Sequence, residues 1–236
     1  MSVPVRIATL LVAFAAVVAG AVFVVMYYLV GSPPRVAYSA TNGQVNLMLQ
    51  EDPQNDSATK PDWVSYYVQD PQTKQWVHTT LFSLPANSTV HVTIRGYDGC
   101  TPPRNNYWTE VQGTVGNTVT VQQFKDTNKP LGSSVTTPAI NGWAHCAVGH
   151  TFAIPSLHLF VPVPSPNTAL FNKSACSSSP CTSGPYASET FTFKAPSHPG
   201  VWRWQCFVPC GGGYLDGNGG PMATIGYMTG DMEVTS

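Results

Sequence analysis

From Ile7 to Val30 the chain carries no charged residue and is dominated by Val, Ala, Leu, Phe and Ile; beyond it the hydrophobic pattern changes character. At ~1.5 Å per residue such a run covers a ~30 Å hydrocarbon core, which predicts a transmembrane anchor over 7–30. A linker is expected over 31–44, and residues 45–236 show period-two alternation rather than a helical stripe. Val45, Leu47 and Leu49 alternate with polar neighbours, as do Val90, Val92 and Ile94, and Phe191 with Phe193. Further strands are predicted at Trp63 to Val68, Trp76 to Phe82, Thr118 to Phe124, Leu157 to Val163, Val201 to Cys206 and Tyr227 to Val234. Clusters of Gly, Pro, Asn and Ser separate them. Eight or nine such strands, each with one apolar face, predict an all-β sandwich in a single domain.

Composition sharpens this picture. Only 10% of residues are charged, with 11 Lys plus Arg against 12 Asp plus Glu and no run of either sign. An average soluble domain has roughly 25%. Without a basic patch there is no footprint for a nucleic acid partner. The apolar run is longer than the core of a secretory signal, and it exits through the bulky Met26-Tyr27-Tyr28-Leu29-Val30, so it reads as an uncleaved anchor. Arg6 before it and Arg35 after it leave the positive-inside rule undecided. Six cysteines outside the run, at 100, 146, 176, 181, 206 and 210, favour an oxidising compartment. The expected placement is therefore a single-pass cell-membrane protein with its C-terminal domain on the extracytoplasmic side. Cys176 and Cys181 bracket a Ser/Pro loop and are expected to form a disulfide; Cys100 and Cys146 can pair but have no near neighbour.

The candidate chemistry lies near the C-terminus. Along Val201 to Cys206 the residues Trp202, Trp204 and Cys206 share a face, so tryptophans in the core turn the Cys206 sulfur inward at the strand end. Cys210 follows in a loop, which permits either two thiolates on a soft metal or a disulfide. Upstream, His150 precedes an apolar segment and offers an imidazole at a strand end. Imidazole with thiolate points to copper. His198 lies at the far end of the strand leading to Cys206, ~20 Å away at ~3.3 Å per residue, and His158 meets the same objection. His78 and His91 read as ordinary sheet residues, and His145 is close enough in sequence to fold back.

His150-Thr-Phe-Ala-Ile-Pro-Ser-Leu with Gln205-Cys206-x-x-x-Cys210-Gly resembles the copper-binding domain of cytochrome oxidase subunit II over roughly Pro138 to Val234. The resemblance implies a Greek-key, cupredoxin-like sandwich. It also implies a copper centre held by His150, Cys206, Cys210, Met222 and the backbone carbonyl of Val208. Two positions depart from the family. Tyr214 stands where the second histidine ligand belongs, and no histidine follows Cys210. Met222 comes twelve residues after Cys210, later than the family's methionine, and Met228 is a weaker candidate.

The resemblance thus implies a membrane-anchored electron-transfer subunit of a haem-copper oxidase type complex, not a stand-alone enzyme. Its partners would be respiratory membrane subunits and a redox donor, with no small-molecule substrate. No hydrolytic triad, zinc-protease motif, phosphate loop or acid pair is present in the sequence. The alternatives are a metal-free structural subunit with a Cys206 to Cys210 disulfide, motivated by the missing histidine, and a copper-delivery protein with an open thiolate pair.

Overall fold

A computed structural model describes residues 3–25, 32–53, 63–97, 105–126, 129–140, 148–166, 176, 178–210 and 219–236. The chain divides into two compact units, residues 1–32 and 33–236. In the first, α1 (Val3–Val24) buries no residue and has a mean hydropathy of 2.7. It is long and apolar enough to cross a membrane or to act as a signal sequence.

The second unit is a two-sheet β-sandwich. One sheet has six strands, in the order β1 (Arg35–Ala37), β5 (Leu81–Pro85), β13 (Thr229–Thr235), β12 (Gly200–Gln205), β9 (Val148–Ile154) and β10 (Leu159–Pro164). The other has seven: β4 (Trp76–His78), β3 (Ser65–Gln69), β2 (Gln44–Asp52), β6 (Thr89–Gly96), β11 (Tyr186–Lys194), β7 (Val119–Asp126) and β8 (Lys129–Thr137). The chain passes repeatedly between the sheets, and β2 with β6 and β5 with β13 are parallel pairs of strands that no hairpin joins. Alternation explains the strands: β6 buries Val90, Val92 and Ile94 while Thr89, His91, Thr93 and Arg95 stay half-exposed on the other face.

Three departures from the sequence expectations have physical reasons. Trp76 to Phe82 is not one strand; it breaks at Thr79 and Thr80, and its halves β4 and β5 join different sheets. The two hydroxyls satisfy backbone groups at that corner: Thr79 Oγ1 donates to the Pro34 carbonyl (2.6 Å), and Thr80 Oγ1 donates to the Thr229 carbonyl (2.6 Å). Arg35–Ala37, inside the stretch expected as a linker, forms β1 beside β5. Strand β8 is exposed at nearly every position, so no apolar alternation announces it.

Trp204 anchors the core. It is fully buried, its Nε1 donates to the Thr80 carbonyl (2.9 Å), and its ring meets Tyr66 edge-on at 5.1 Å and Phe152 at 5.0 Å. Gly230 lies opposite it in register, where a Cβ would collide with the carbonyl and side chain of Thr80. Trp202, expected in the core, sits at the rim instead: it is half-buried over Gly200 and tilted against His198 at 5.6 Å. Along β12 the inward face goes from half-buried at Trp202, which still packs against the core, to fully buried at Trp204 and Cys206.

The expected Cys176–Cys181 disulfide is present, with Cα atoms 5.4 Å apart. Its loop is pinned to the end of β2: Gln50 Nε2 donates to the Cys181 carbonyl (2.9 Å) and the Cys181 amide donates to Asp52 Oδ2 (2.8 Å). Cys100 and Cys146 lie outside the described residues. Burial pushes the Asp52 carboxyl from 3.8 up to about 7, although the Cys181 amide works against it. The folded protein therefore binds more protons than the unfolded chain between these values. Stability from Asp52 is complete below about pH 4 and is lost as pH rises through about 7. Thermal midpoints at several pH values check this, and Asp52→Asn, which keeps an acceptor for the amide but cannot ionise, is expected to flatten the decline.

Candidate metal centre

Two neighbouring strands of the six-stranded sheet deliver the donors. On β9 the inward face carries Val148, His150, Phe152 and Ile154, so an imidazole sits in an otherwise apolar row. Cys206 follows β12 directly and is fully buried, because Trp204 on the same face is driven inward. The chain then turns. The Cys206 amide donates to the Met228 carbonyl (2.9 Å) and the Phe207 amide to Thr151 Oγ1 (2.8 Å), which ties the cysteine loop to β9 and to the turn before β13.

This places three soft or borderline donors together. Cys206 Sγ and Cys210 Sγ are 3.1 Å apart, beyond the ~2.05 Å of a disulfide bond. His150 Nδ1 is 3.0 Å from Cys210 Sγ and 3.9 Å from Cys206 Sγ. The Val208 carbonyl oxygen lies 2.6 Å from Cys210 Sγ and 3.5 Å from Cys206 Sγ. The other ring nitrogen, His150 Nε2, stands 3.1 Å from Glu51 Oε1 on β2 of the opposite sheet. This is a charge contact and not a hydrogen bond. His150 therefore spans the interior between the sheets.

The electrostatics favour a deprotonated sulfur. Burial alone would raise the Cys206 thiol, but the neighbouring Cys210 and His150 and the Thr151 amide, which donates to its sulfur at 3.3 Å, hold it well below the usual thiol range. Burial disfavours the charged ring of His150 in turn; the Glu51 carboxylate and the Cys206 sulfur outweigh it and raise the imidazole well above its usual value. Both shifts run in the direction that favours a thiolate beside a charged ring, the negative donor a soft metal takes. A metal ion would be held here by His150 Nδ1 and the two sulfurs, with Nδ1 giving up its proton.

The sequence-predicted residues fare differently. His150, Cys206, Cys210 and the Val208 carbonyl converge. Met222 is buried in a short 3₁₀ turn (Gly220–Ala223); its neighbour Pro221 accepts from the Met228 amide (3.1 Å), and the Met228 carbonyl accepts from the Cys206 amide (2.9 Å). Tyr214 and His145 lie outside the described residues. His198 packs on Trp202, His91 Nδ1 meets Thr192 Oγ1 at 3.0 Å, and His78 lies against the rings of Tyr67 and Tyr227. A second cluster, Asp52 with Cys176 and Cys181, has both sulfurs committed to the disulfide. Glu51 is the residue that sequence reasoning missed. Its signal was parity: it continues the inward row Val45, Leu47, Leu49 as an acid in an apolar register.

An aromatic layer adjoins the centre. Phe207, next to Cys206, stacks on Trp108 (4.8 Å, 9°), and Tyr107 and Phe160 complete the group, with Tyr107 38% exposed.

Fold and site together define a two-sheet β-sandwich with a buried sulfur–imidazole cluster at one end. The chain matches no protein-family model and no curated protein sequence. Among solved structures it is similar to the copper protein rusticyanin, at 14% identity over 85% of this chain and 82% of that one, with a TM-score of 0.35. Rusticyanin from Thiobacillus ferrooxidans gives 15% identity over 85% and 82%, with a TM-score of 0.31. Likeness this loose does not bear on the site, which is defined by its own distances.

Proposed function

We propose that the protein is a membrane-anchored, copper-binding electron-transfer protein, with His150, Cys206, Cys210 and the Val208 carbonyl as ligands and Met222 as a further one. The observation that carries this reading is the convergence of one imidazole and two sulfurs within 3.0 to 3.9 Å of one another, buried at a sandwich end. Thiolate and imidazole donors together suit copper, and a weak carbonyl or thioether completes such sites. Bound copper would supply a one-electron couple. The chain's own part is to hold the donors in fixed positions, exclude water through the Trp204, Phe152 and Val208 packing, and keep Cys206 ionised. Phe207 and Trp108 lead from the cysteine loop towards the half-exposed Tyr107, which gives a redox partner an aromatic surface to dock against.

The finer assignment rests on the sequence resemblance: a subunit II-like component of a haem-copper oxidase type respiratory complex. In this reading residues 7–30 are the anchor and the C-terminal domain faces the extracytoplasmic side. Adding copper to the reduced full-length protein and then oxidising the copper-loaded product tests the reading. It is expected to produce strong visible sulfur-to-copper absorption; a colourless product with both thiols verified as available overturns it. A metal-free structural subunit is the second reading, favoured by the approach of the two sulfurs to 3.1 Å. It requires a Cys206 to Cys210 crosslink in the unreduced protein, which mass spectrometry detects.

A further inference from the structure

We propose that Glu51 is a positioning residue of the centre: it holds the outer nitrogen of His150 so that Nδ1 faces the two sulfurs, and its charge lowers the reduction potential of copper bound there. The inference rests on the copper reading and deepens it. The imidazole has two chemically different ends in this site. Nδ1 lies 3.0 Å from Cys210 Sγ, and Nε2 lies 3.1 Å from Glu51 Oε1. The side chains of His150 and Glu51 are 3% and 0% exposed, so bulk water does not compete for either contact. A carboxylate at this depth is costly without a donor or a positive partner, and the ring supplies one.

The contact is made across the sandwich. His150 belongs to β9 of the six-stranded sheet and Glu51 to β2 of the seven-stranded one, so it sets the ring's rotation relative to both sheets. The end of β2 is itself fixed. Gln50 and Asp52, which flank Glu51 and carry side chains on the other face, are both hydrogen-bonded to Cys181 in the disulfide loop. Three consecutive polar residues thus divide their tasks: the outer two clamp the strand end, and the middle one meets the histidine. A metal-bound imidazole whose remaining N–H meets a carboxylate is held in one tautomer and becomes a stronger donor. Stronger donation and a nearby negative charge both favour the oxidised, more positive ion.

Glu51→Gln and Glu51→Leu in the full-length protein separate orientation from charge, with copper as the probe. The Gln side chain keeps an uncharged oxygen beside Nε2, whereas the Leu side chain offers none. Copper affinity is expected to fall about 10–100-fold in Glu51→Leu, the usual cost of losing an outer partner, and by less in Glu51→Gln. The reduction potential is expected to rise in both, because both lose the charge. In the unmodified Cu(I) protein, nitrogen NMR is expected to find the His150 proton on Nε2; this needs no substitution and decides the matter if the variants fail to fold. Unchanged affinity and potential in both variants, or a proton on Nδ1 with the metal on Nε2, overturns the inference alone. Unmodified protein that takes up no copper overturns the copper reading and this inference together.

Discussion

Cys206→Ser is expected to erase the visible absorption of the copper-loaded protein and to weaken copper binding by more than the roughly 10–100-fold typical of losing an outer partner. The Cys206 sulfur is fully buried, 3.1 Å from its companion, and accepts from the Thr151 amide. Its surroundings are built to keep it ionised. A serine hydroxyl in the same place stays protonated and is a hard donor, so both the charge and the softness that select copper are lost. Copper titration followed by absorption and by equilibrium dialysis checks this. Retained colour would move the ligand role away from Cys206.

Trp204→Ala is expected to cost about 3–5 kcal/mol, a large share of the ~5–15 kcal/mol that holds a typical domain together. The indole fills the centre of the sandwich between Tyr66, Phe82 and Phe152, and its N–H satisfies the Thr80 carbonyl at the corner between β4 and β5. Truncation leaves a cavity and takes away that carbonyl's indole partner. For a domain of this size the thermal midpoint should fall by roughly 10 °C, read by near-ultraviolet circular dichroism of the full-length protein. Trp202→Ala, at the rim, is expected to cost about 1 kcal/mol or less. Equal losses at the two positions would contradict the packing described for β12.

Much of the sandwich was legible because strands with one buried face write themselves in period two. Val45, Leu47 and Leu49 in β2 and Phe191 and Phe193 in β11 are buried as that pattern requires. The pattern was silent where its physical basis fails. Strand β8 has almost no buried face, β1 is three residues long, and the break between β4 and β5 depends on hydroxyl contacts to residues far away in sequence. Strand parity also placed the Cys206 sulfur inward, and strand length set His198 aside; it packs on Trp202. Parity put Trp202 on the right face, where it packs against the core but stays half-buried at the rim. Glu51 escaped notice because its partner comes from the opposite sheet, and no local pattern reports a contact between residues 51 and 150. The interior holds a further buried acid: Glu189 follows the inward parity of Phe191 and Phe193, and burial holds its carboxyl well above the usual range.

In the proposed function, one imidazole and two sulfurs, brought together by β9 and the loop after β12, bind copper as a set. X-ray absorption at the copper edge of the loaded full-length protein tests it most directly. Backscattering from sulfur together with an imidazole nitrogen is expected, with the sulfur contribution reduced in Cys206→Ser. A copper shell made only of nitrogen and oxygen would contradict it.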